Sequence, residues 1–213
     1  MKVEVWSDLV CPWCYIGKRR LEHALARYEH AADVEVIWRS FQLDPTQLRG
    51  ENIPTFEMLS RKHGVTATQA KAMNDRVTDL AAAEGLAYRL DKAVTANTFD
   101  AQRLTHLAGA HHLGDAMHER LLRAALIEGE PIDDIEVLVR LAVDVGLPAE
   151  AARYTLEAGE FADQVHEDIS QARALGVNGV PFYVVDRAFG MSGAQSVDTI
   201  LDVLRRADTS LAP

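Results

Sequence analysis

The chain has 213 residues, of which 48% are hydrophobic and 25% charged, so it has enough apolar material for a sizeable core. Its net charge of −10 argues against nucleic acid as a partner, because phosphate binding needs a cationic face. No apolar run approaches the ~18 residues that span a bilayer, which argues against a membrane protein. The N-terminal MKVEVWSD alternates apolar residues with charges and lacks a signal-peptide core, so we expect a cytoplasmic protein.

The first part of the chain predicts a β–α–β unit. Apolar residues alternate with polar ones over 2–7, which predicts a short strand. A helical stripe of apolar residues runs from Pro12 to about Tyr28, and proline suits a first helical turn. Residues 34–43 are rich in β-branched and aromatic side chains and predict a second strand. Because a crossover helix joins the two strands, we expect them to be parallel.

Residues 52–176 read almost entirely as helices. Seven glycines follow periodic stretches, where helices commonly end: Gly64, Gly85, Gly114, Gly129, Gly146, Gly159 and Gly176. Helix starts are indicated by the capping-box spacings Thr66–Gln69 and Asp133–Glu136 and by the prolines Pro54 and Pro148. Residues 85–100 are the exception and predict an extended segment. The glycine spacings are irregular, so the pattern favours a helical bundle over a solenoid repeat.

After Gly176 the pattern returns to strands. Two β-rich runs, 182–185 and 188–192, are separated by Asp186-Arg187 as a tight turn. A final amphipathic helix then carries Val197, Ile200, Leu201 and Leu204. The chain is therefore predicted to be an α/β protein of the order β–α–β, helical insertion, β–β–α. We expect one domain from residues 1–48 and 165–213, and an all-helical insertion over 49–164 packed tightly on the sheet.

The chain contains only two cysteines, Cys11 and Cys14, which excludes a disulfide scaffold. In a reducing compartment such a close pair is typical of a catalytic or metal-binding site. A structural zinc ion needs twice as many ligands as C-x-x-C supplies. The one pair of histidines spaced to supply the other ligands is His106 with His111 or His112, on a predicted helix far along the chain. We therefore predict no metal site.

A redox pair has a physical basis at this position. Cys11 stands at or just before the first helical residue, where free N–H groups and the helix dipole favour a thiolate. Cys14 follows one turn later on the same face, so it can attack a mixed disulfide formed at Cys11. Asp8 opposes thiolate formation at Cys11. Lys18 shares the face of the cysteines, and we expect it to be solvated.

The segments WSDLVCPWC (6–14) and GVNGVPFYVVD (176–186), with a helical insertion between them, resemble the DsbA-like branch of the thioredoxin superfamily. In that family a cis-proline loop faces the C-x-x-C motif and binds substrate backbone. Val180-Pro181 matches the position and sequence of this loop. The resemblance covers essentially the whole chain and implies a thioredoxin fold (βαβ…ββα) with a helical insertion.

The Pro12-Trp13 dipeptide, PFYVVD (181–186) and ANTFDAQRL (96–104) most resemble the cytoplasmic FrnE-like group. Trp13 stands where exported DsbA proteins have histidine, so the extreme thiol acidity of those proteins is not carried over. Many relatives have a buried acid beneath the motif, for which Glu4 and Asp8 are both candidates. Trp13 is expected at a loop–helix junction, either contacting substrate or packed on the insertion.

The resemblance implies a thiol–disulfide oxidoreductase or isomerase. Cys11 would attack and Cys14 would resolve, while Pro12, Trp13, Val180 and Pro181 would contact substrate. The expected partners are disulfide-containing proteins or small thiols. We expect no cofactor beyond the cysteine pair, with glutathione as a candidate co-substrate. An alternative is a glutathione-dependent isomerase or transferase of small aromatic compounds, although such proteins typically place serine at the nucleophile position. A binding module is the third interpretation, and it leaves the cysteines unexplained. The sequence leaves the oligomeric state open.

Overall fold

A computed structural model describes residues 1–210 of the chain, without the side chain of Ser210. Its centre is a four-stranded sheet in the order β2-β1-β3-β4. The strands are β1 (Lys2–Ser7), β2 (Glu35–Ser40), β3 (Phe182–Val185) and β4 (Phe189–Ser192). Strands β1 and β2 are parallel, as predicted, whereas β3 runs antiparallel to both β1 and β4.

Two helices belong to the ends of the chain, α1 (Pro12–Ala26) and α9 (Val197–Ser210), and a 3-10 turn (Ala31–Asp33) precedes β2. Between β2 and β3 lie seven helices, which confirm the predicted helical insertion: α2 (Thr55–His63), α3 (Ala67–Ala83), α4 (Phe99–Ala110), α5 (Gly114–Arg123), α6 (Ile135–Asp144), α7 (Ala149–Ala158) and α8 (Ala162–Ala174). A π-helical turn (Ala124–Glu128) extends α5. The segment between α3 and α4 is extended, and Pro54 and Val94 form an isolated bridge there.

Two apolar clusters hold these elements together. One fills the space between the sheet, α1 and α9, and contains Val5, Tyr183, Leu21, Ile200 and Leu204. The other joins the opposite side of the sheet and the start of α1 to the insertion. Trp6, Tyr15 and Ile16 pack there with apolar residues of α4, α5 and α6. The insertion therefore packs closely on the sheet, as expected. The division into two domains remains a prediction, and its boundary at 164/165 falls within α8.

The structure corrects several element boundaries. Strand β2 ends at Ser40 instead of 43, because the following residues turn toward the start of α1, where Asp8 binds the backbone N–H of Leu43. Gly114 begins α5 instead of ending a helix, and the left-handed position before it belongs to His112. The turn between β3 and β4 includes Ala188, so β4 begins one residue later than predicted.

The helix caps agree with the sequence in most places. Thr66 and Gln69 form the predicted capping box of α3. The cap of α6 is Asp134, whose Oδ1 accepts the N–H groups of Glu136 and Val137. The sequence assigned this cap to Asp133, which instead binds backbone N–H groups of two distant loops, at Gly50 and Asn97. Pro54 and Pro148 occupy cap positions, one residue before the first turns expected for them.

Candidate active site

Cys11 is the N-cap residue of α1, and Pro12 is its first helical residue. Strand β1 leads into a turn in which the Cys11 N–H donates to the Asp8 carbonyl over 3.0 Å. No side chain caps the helix. The N–H groups of its first turn, at the Cys11 end, therefore have no side-chain acceptor. Those N–H groups and the helix dipole favour a negative charge at Cys11. Cys11 is 4% exposed and carries a free thiol.

The loop before β3 lies against Cys11. The Val180–Pro181 peptide bond is cis, and the Cys11 thiol donates to the Val180 carbonyl over 3.7 Å. The fold therefore brings the C-x-x-C motif and this loop together, as expected from the sequence, although Cys11 and Val180 are 169 residues apart. The Pro181 carbonyl accepts an N–H from Gly193 over 2.8 Å, which ties the loop to the end of β4.

Gly17 lets α1 approach this loop closely. A Cβ atom at Gly17 would lie 2.3 Å from the Tyr183 hydroxyl and 2.8 Å from Cγ of Pro181. Real Cβ contacts do not reach such distances, so only glycine fits at this point of the helix. Sequence reasoning missed Gly17, although an isolated glycine inside a helical stripe is a recognised sign of close packing.

Cys14 lies one turn along α1 and is fully buried with a free thiol. Burial raises its pKa well above the ordinary cysteine value, and a hydrogen bond with Cys11 raises it further. A backbone hydrogen bond from Asp8 and a side-chain hydrogen bond from Ser7 act in the opposite direction. The surroundings of Cys14 therefore favour its protonated thiol.

The two residues between the cysteines differ in their surroundings. The Pro12 carbonyl accepts a 2.6 Å hydrogen bond from the hydroxyl of Tyr88, which lies in the extended segment of the insertion. Burial raises the pKa of Tyr88, so this hydroxyl remains a donor. Trp13 is 39% exposed, which makes it the large apolar side chain of the motif that faces solvent.

Of the two candidate acids, Asp8 lies beside the motif and Glu4 does not. Glu4 is engaged by Arg39, at 2.6 Å, and by Arg187. The Asp8 carboxyl is fully buried and accepts the Leu43 N–H over 2.7 Å. Burial raises the pKa of Asp8 to about 6, against the lowering effect of the Leu43 hydrogen bond.

Lys18 is buried, contrary to the expectation that it is solvated. Its side chain is 2% exposed because α5 packs over this face of α1 and supplies two carboxylates. The ammonium group pairs with Asp115 at 3.1 Å, with Glu119 at 3.4 Å and with Glu22 of its own helix. It also lies 5.6 Å from the centre of the Trp38 ring. The sequence could not show that two acids of a distant helix would face this lysine.

A cavity of about 530 Å³ adjoins the motif on the side of Asp8 and Val10. Its walls come from the loop after β2 and from the extended segment, including Leu43, Thr95 and Thr98. Arg61 and Lys62 of α2 also line it, so cationic groups border a cavity with a buried acid. Within residues 1–210, no group of three or more His, Cys, Asp or Glu side chains is placed to hold a metal ion.

A thioredoxin-like sheet with a C-x-x-C pair at a helix N-terminus defines the class of protein. A DSBA-like thioredoxin domain matches residues 2–205, so the chain belongs to the DSBA-like thioredoxin domain family. The fold is that of the DsbA-like thiol oxidoreductases. Among the helices described over residues 1–210, none is long and apolar enough to cross a membrane.

Solved structures share this fold over the full chain. The probable DsbA oxidoreductase SCO1869 of Streptomyces coelicolor is 42% identical, covers 100% of this chain and 92% of its own, and superposes with a TM-score of 0.95. The cytosolic disulfide reductase DsbM of Pseudomonas aeruginosa is 20% identical, with 100% of both chains covered and a TM-score of 0.66. A 2-hydroxychromene-2-carboxylate isomerase is 15% identical, with the same coverage and a TM-score of 0.68.

Proposed function

We propose that this protein is a thiol–disulfide oxidoreductase, in which Cys11 attacks and Cys14 resolves. In the reductive direction the Cys11 thiolate attacks a substrate disulfide, forming a mixed disulfide and releasing one substrate thiolate. The Cys14 thiolate then attacks Cys11, which forms the Cys11–Cys14 disulfide and releases the second thiolate. The two protons of the cysteines end on the two substrate sulfurs. The reverse sequence of steps would oxidise a substrate dithiol.

The observation that carries this proposal is the arrangement of three groups around the start of α1. Cys11 lies at the open N-terminus of α1, the Val180 carbonyl lies 3.7 Å from its sulfur, and Cys14 follows one turn later. The helix end favours the attacking thiolate, and the buried, protonated Cys14 is kept back for the second step. A cysteine pair with two different environments suits a reaction with an attacking and a resolving thiol.

We assign the substrate surface to Pro12, Trp13, Val180 and Pro181. Trp13 is exposed beside the nucleophile, and an exposed indole provides a large apolar contact area. The Val180 carbonyl faces Cys11, so an extended substrate segment could pair with backbone there while its disulfide meets the sulfur.

The cysteine pair carries both electrons, so the reaction as proposed uses no metal or nucleotide. The substrates are disulfide-containing proteins or small thiols, with glutathione as a candidate co-substrate. DsbM has been determined with glutathione, and the cavity beside Asp8 has room for a small thiol. We place the reaction in the cytoplasm, where a reducing environment would return the pair to the dithiol form.

The test is to replace Cys14 by serine, which leaves the nucleophile but removes the resolving thiol. Expressed in its own host, Cys14→Ser should accumulate mixed disulfides with proteins at Cys11, visible on non-reducing gels and by mass spectrometry. The matched control Cys11→Ser should trap nothing. Glutathione alone at Cys11, with turnover of an aromatic substrate by Cys14→Ser, would instead favour the isomerase or transferase. If Cys14→Ser traps nothing and Cys11→Ser retains full activity, the redox proposal fails and a binding module replaces it.

A further inference from the structure

We propose that the cavity beside Asp8 binds the ammonium group of a small aminothiol disulfide, with Oδ1 of the Asp8 carboxylate as the acceptor. The inference rests on the proposed exchange reaction and names a substrate class for it. The class consists of disulfides in which two carbon atoms separate each sulfur from a primary ammonium group, as in cystamine. Asp8 is a binding residue in this arrangement, because it holds the substrate and takes no part in the transfer of electrons.

One oxygen of the Asp8 carboxylate has no partner within the protein. Asp8 is 1% exposed, and its Oδ2 accepts the Leu43 N–H over 2.7 Å. Its Oδ1 is buried and has no hydrogen-bond partner among the residues described. The Thr98 hydroxyl and the backbone of Leu9 and Val10 favour the charged form of the carboxyl, but none of them bonds Oδ1. Because a buried acceptor without a partner is costly, a ligand that donates to Oδ1 would be held there.

The Asp8 carboxyl also carries a charge at neutral pH. Burial raises its pKa to about 6, so the ionised form dominates at pH 7. A buried charge without a paired cation costs free energy, and Asp8 therefore destabilises the folded protein at neutral pH. An ammonium group would supply both the hydrogen-bond donor that Oδ1 lacks and the opposite charge.

The cavity that Asp8 lines has the size of a small-molecule site. Its volume of about 530 Å³ falls within the ~300–1,000 Å³ of typical ligand pockets. Ile53, Met58 and Val94 contribute apolar wall, which suits the methylene groups of an aminothiol. A buried acceptor in a largely apolar cavity fixes the orientation of such a ligand.

Two cations of α2 border the same cavity, and each interacts with an acid at the surface. Arg61 and Lys62 are both exposed. Arg61 pairs with Glu57 of its own helix at 2.5 Å, and Lys62 interacts electrostatically with Asp44. Their charges are thus directed at exposed carboxylates, whereas Asp8 is the buried acid of the cavity.

The turn between β1 and α1 places Asp8 close to the reactive cysteine. The Cys11 N–H donates to the Asp8 carbonyl over 3.0 Å. Residues that are joined by such a bond across a four-residue turn have Cα atoms within about 7 Å of each other. Val10, which is adjacent to Cys11 in the chain, also lines the cavity. A ligand with its ammonium group near its sulfur therefore suits the spacing between Asp8 and Cys11.

The exchange with cystamine balances without a further reactant. The Cys11 thiolate attacks one sulfur of cystamine, which forms a mixed disulfide and releases one cysteamine thiolate. Cys14 then attacks Cys11, which closes the Cys11–Cys14 disulfide and releases the second cysteamine. The substrate gains two electrons from the cysteine pair, and the two thiol protons end on the two cysteamine sulfurs. Asp8 binds the ammonium group of the half that becomes attached to Cys11.

The test compares the rates at which the reduced protein reacts with cystamine and with bis(2-hydroxyethyl) disulfide. The two disulfides have the same length, and a neutral hydroxyl replaces each ammonium group in the second. Mass spectrometry of quenched samples gives both rate constants. Their ratio is divided by the ratio measured with dithiothreitol, which corrects for the intrinsic reactivity of the two disulfides. Because a hydrogen bond to a charged group corresponds to about tenfold or more in affinity, the wild-type protein should prefer cystamine by at least about tenfold after this correction.

Asp8→Asn should reduce the corrected preference for cystamine by about tenfold, because it removes the charge that the ammonium group meets. Any change in the reactivity of Cys11 itself affects both disulfides and cancels in the ratio. Asp44→Asn is the matched control. It removes the same charge from the exposed rim of the same cavity and should change the ratio by at most about twofold.

Two results would overturn the inference directly. One is the absence of a corrected preference in the wild-type protein, as expected of a carboxylate that is merely hydrated, and the other is an equal fall in Asp8→Asn and Asp44→Asn. A preference for lysine beside the cysteine of a disulfide peptide, without one for cystamine, would also overturn it and would assign the cavity to a side chain of a protein substrate. A wild-type protein that reacts with neither disulfide, nor with the aromatic disulfide DTNB, would instead contradict the proposed function itself.

Discussion

The Tyr88 hydroxyl donates a 2.6 Å hydrogen bond to the Pro12 carbonyl, so a residue of the insertion holds the first turn of α1. The Tyr88 ring also packs on Tyr15, with 6.1 Å between ring centres. The insertion thus contributes directly to the shape of the C-P-W-C motif. Helix α5 of the insertion likewise brings His118 to Ser7 at the end of β1, and carboxylates to Lys18 of α1.

Removing the Tyr88 hydroxyl should weaken this connection without disturbing the ring. We expect Tyr88→Phe to lower the free energy of unfolding by about 1 kcal/mol, since a typical net hydrogen bond contributes that much. Urea unfolding followed by fluorescence measures the change. Tyr154 is 62% exposed, so Tyr154→Phe is the control and should be neutral. Equal stability of Tyr88→Phe and the wild type would show that the bond contributes nothing.

Gly17→Ala should destabilise the protein even though alanine favours helix. The added methyl group would meet the Tyr183 hydroxyl at 2.3 Å and Pro181 at 2.8 Å, and would push α1 away from the loop. Overpacking of this kind costs about 1–3 kcal/mol. Gly109 in α4 is a matched control, because a Cβ atom there meets nothing within 4 Å.

For Gly109→Ala we expect the opposite sign, a gain of up to about 1 kcal/mol from helix propensity. Thermal and urea unfolding of both variants would test the pair. If Gly17→Ala gains as much as Gly109→Ala, the close approach of α1 to the Pro181 loop is not a constraint on this position.

Asp8 predicts a specific dependence of stability on pH. Burial raises its pKa in the folded state to about 6 from an ordinary 3.8. Between these values the folded state binds more protons than the unfolded state, so the free energy of unfolding falls as the pH rises from about 4 to about 6. The shift of about two pKa units corresponds to roughly 3 kcal/mol at neutral pH.

Asp8→Asn removes this titration and keeps an oxygen for the Leu43 N–H. The variant should be more stable than the wild type above pH ~6, by up to roughly 3 kcal/mol, and the difference should vanish below pH ~4. Urea unfolding at several pH values tests it. Asp44, whose pKa is lowered by a hydrogen bond from Thr46, is the control, because Asp44→Asn should give no gain at neutral pH. A constant difference across the pH range would rule out the titration of Asp8.

Trp13→Ala should affect substrate binding and not stability. Because the indole is 39% exposed, its loss should change the free energy of unfolding by less than about 1 kcal/mol. We expect KM for a disulfide-containing protein to rise several-fold, while the reaction with DTNB changes little. The exposed Tyr154→Ala serves as the control for both readouts. A large loss of stability with unchanged KM would mean that the ring packs on the protein and does not bind substrate.

The sequence predicted most of the fold because its signals are local. Apolar residues that alternate with polar ones predict β1, and β-branched and aromatic residues predict β2. Thr66 and Gln69 form the capping box of α3. The position of Cys11 at a helix start also follows from Pro12 and the apolar periodicity after it. The cap of α6 was misassigned because Asp133 and Asp134 are adjacent, and long-range hydrogen bonds engage Asp133 elsewhere.

By itself the sequence determined the parallel β–α–β start, the helical insertion, the closing β–β–α and the placement of a cysteine pair at a helix N-terminus. Each of these depends on residues close to one another in the chain. Only the tertiary structure decided which side chains surround that pair. It buried Lys18 under α5, placed Asp8 beside the motif and Glu4 against Arg39, and brought His118 to Ser7. Such contacts arise when distant elements pack, and no local periodicity records which faces will meet.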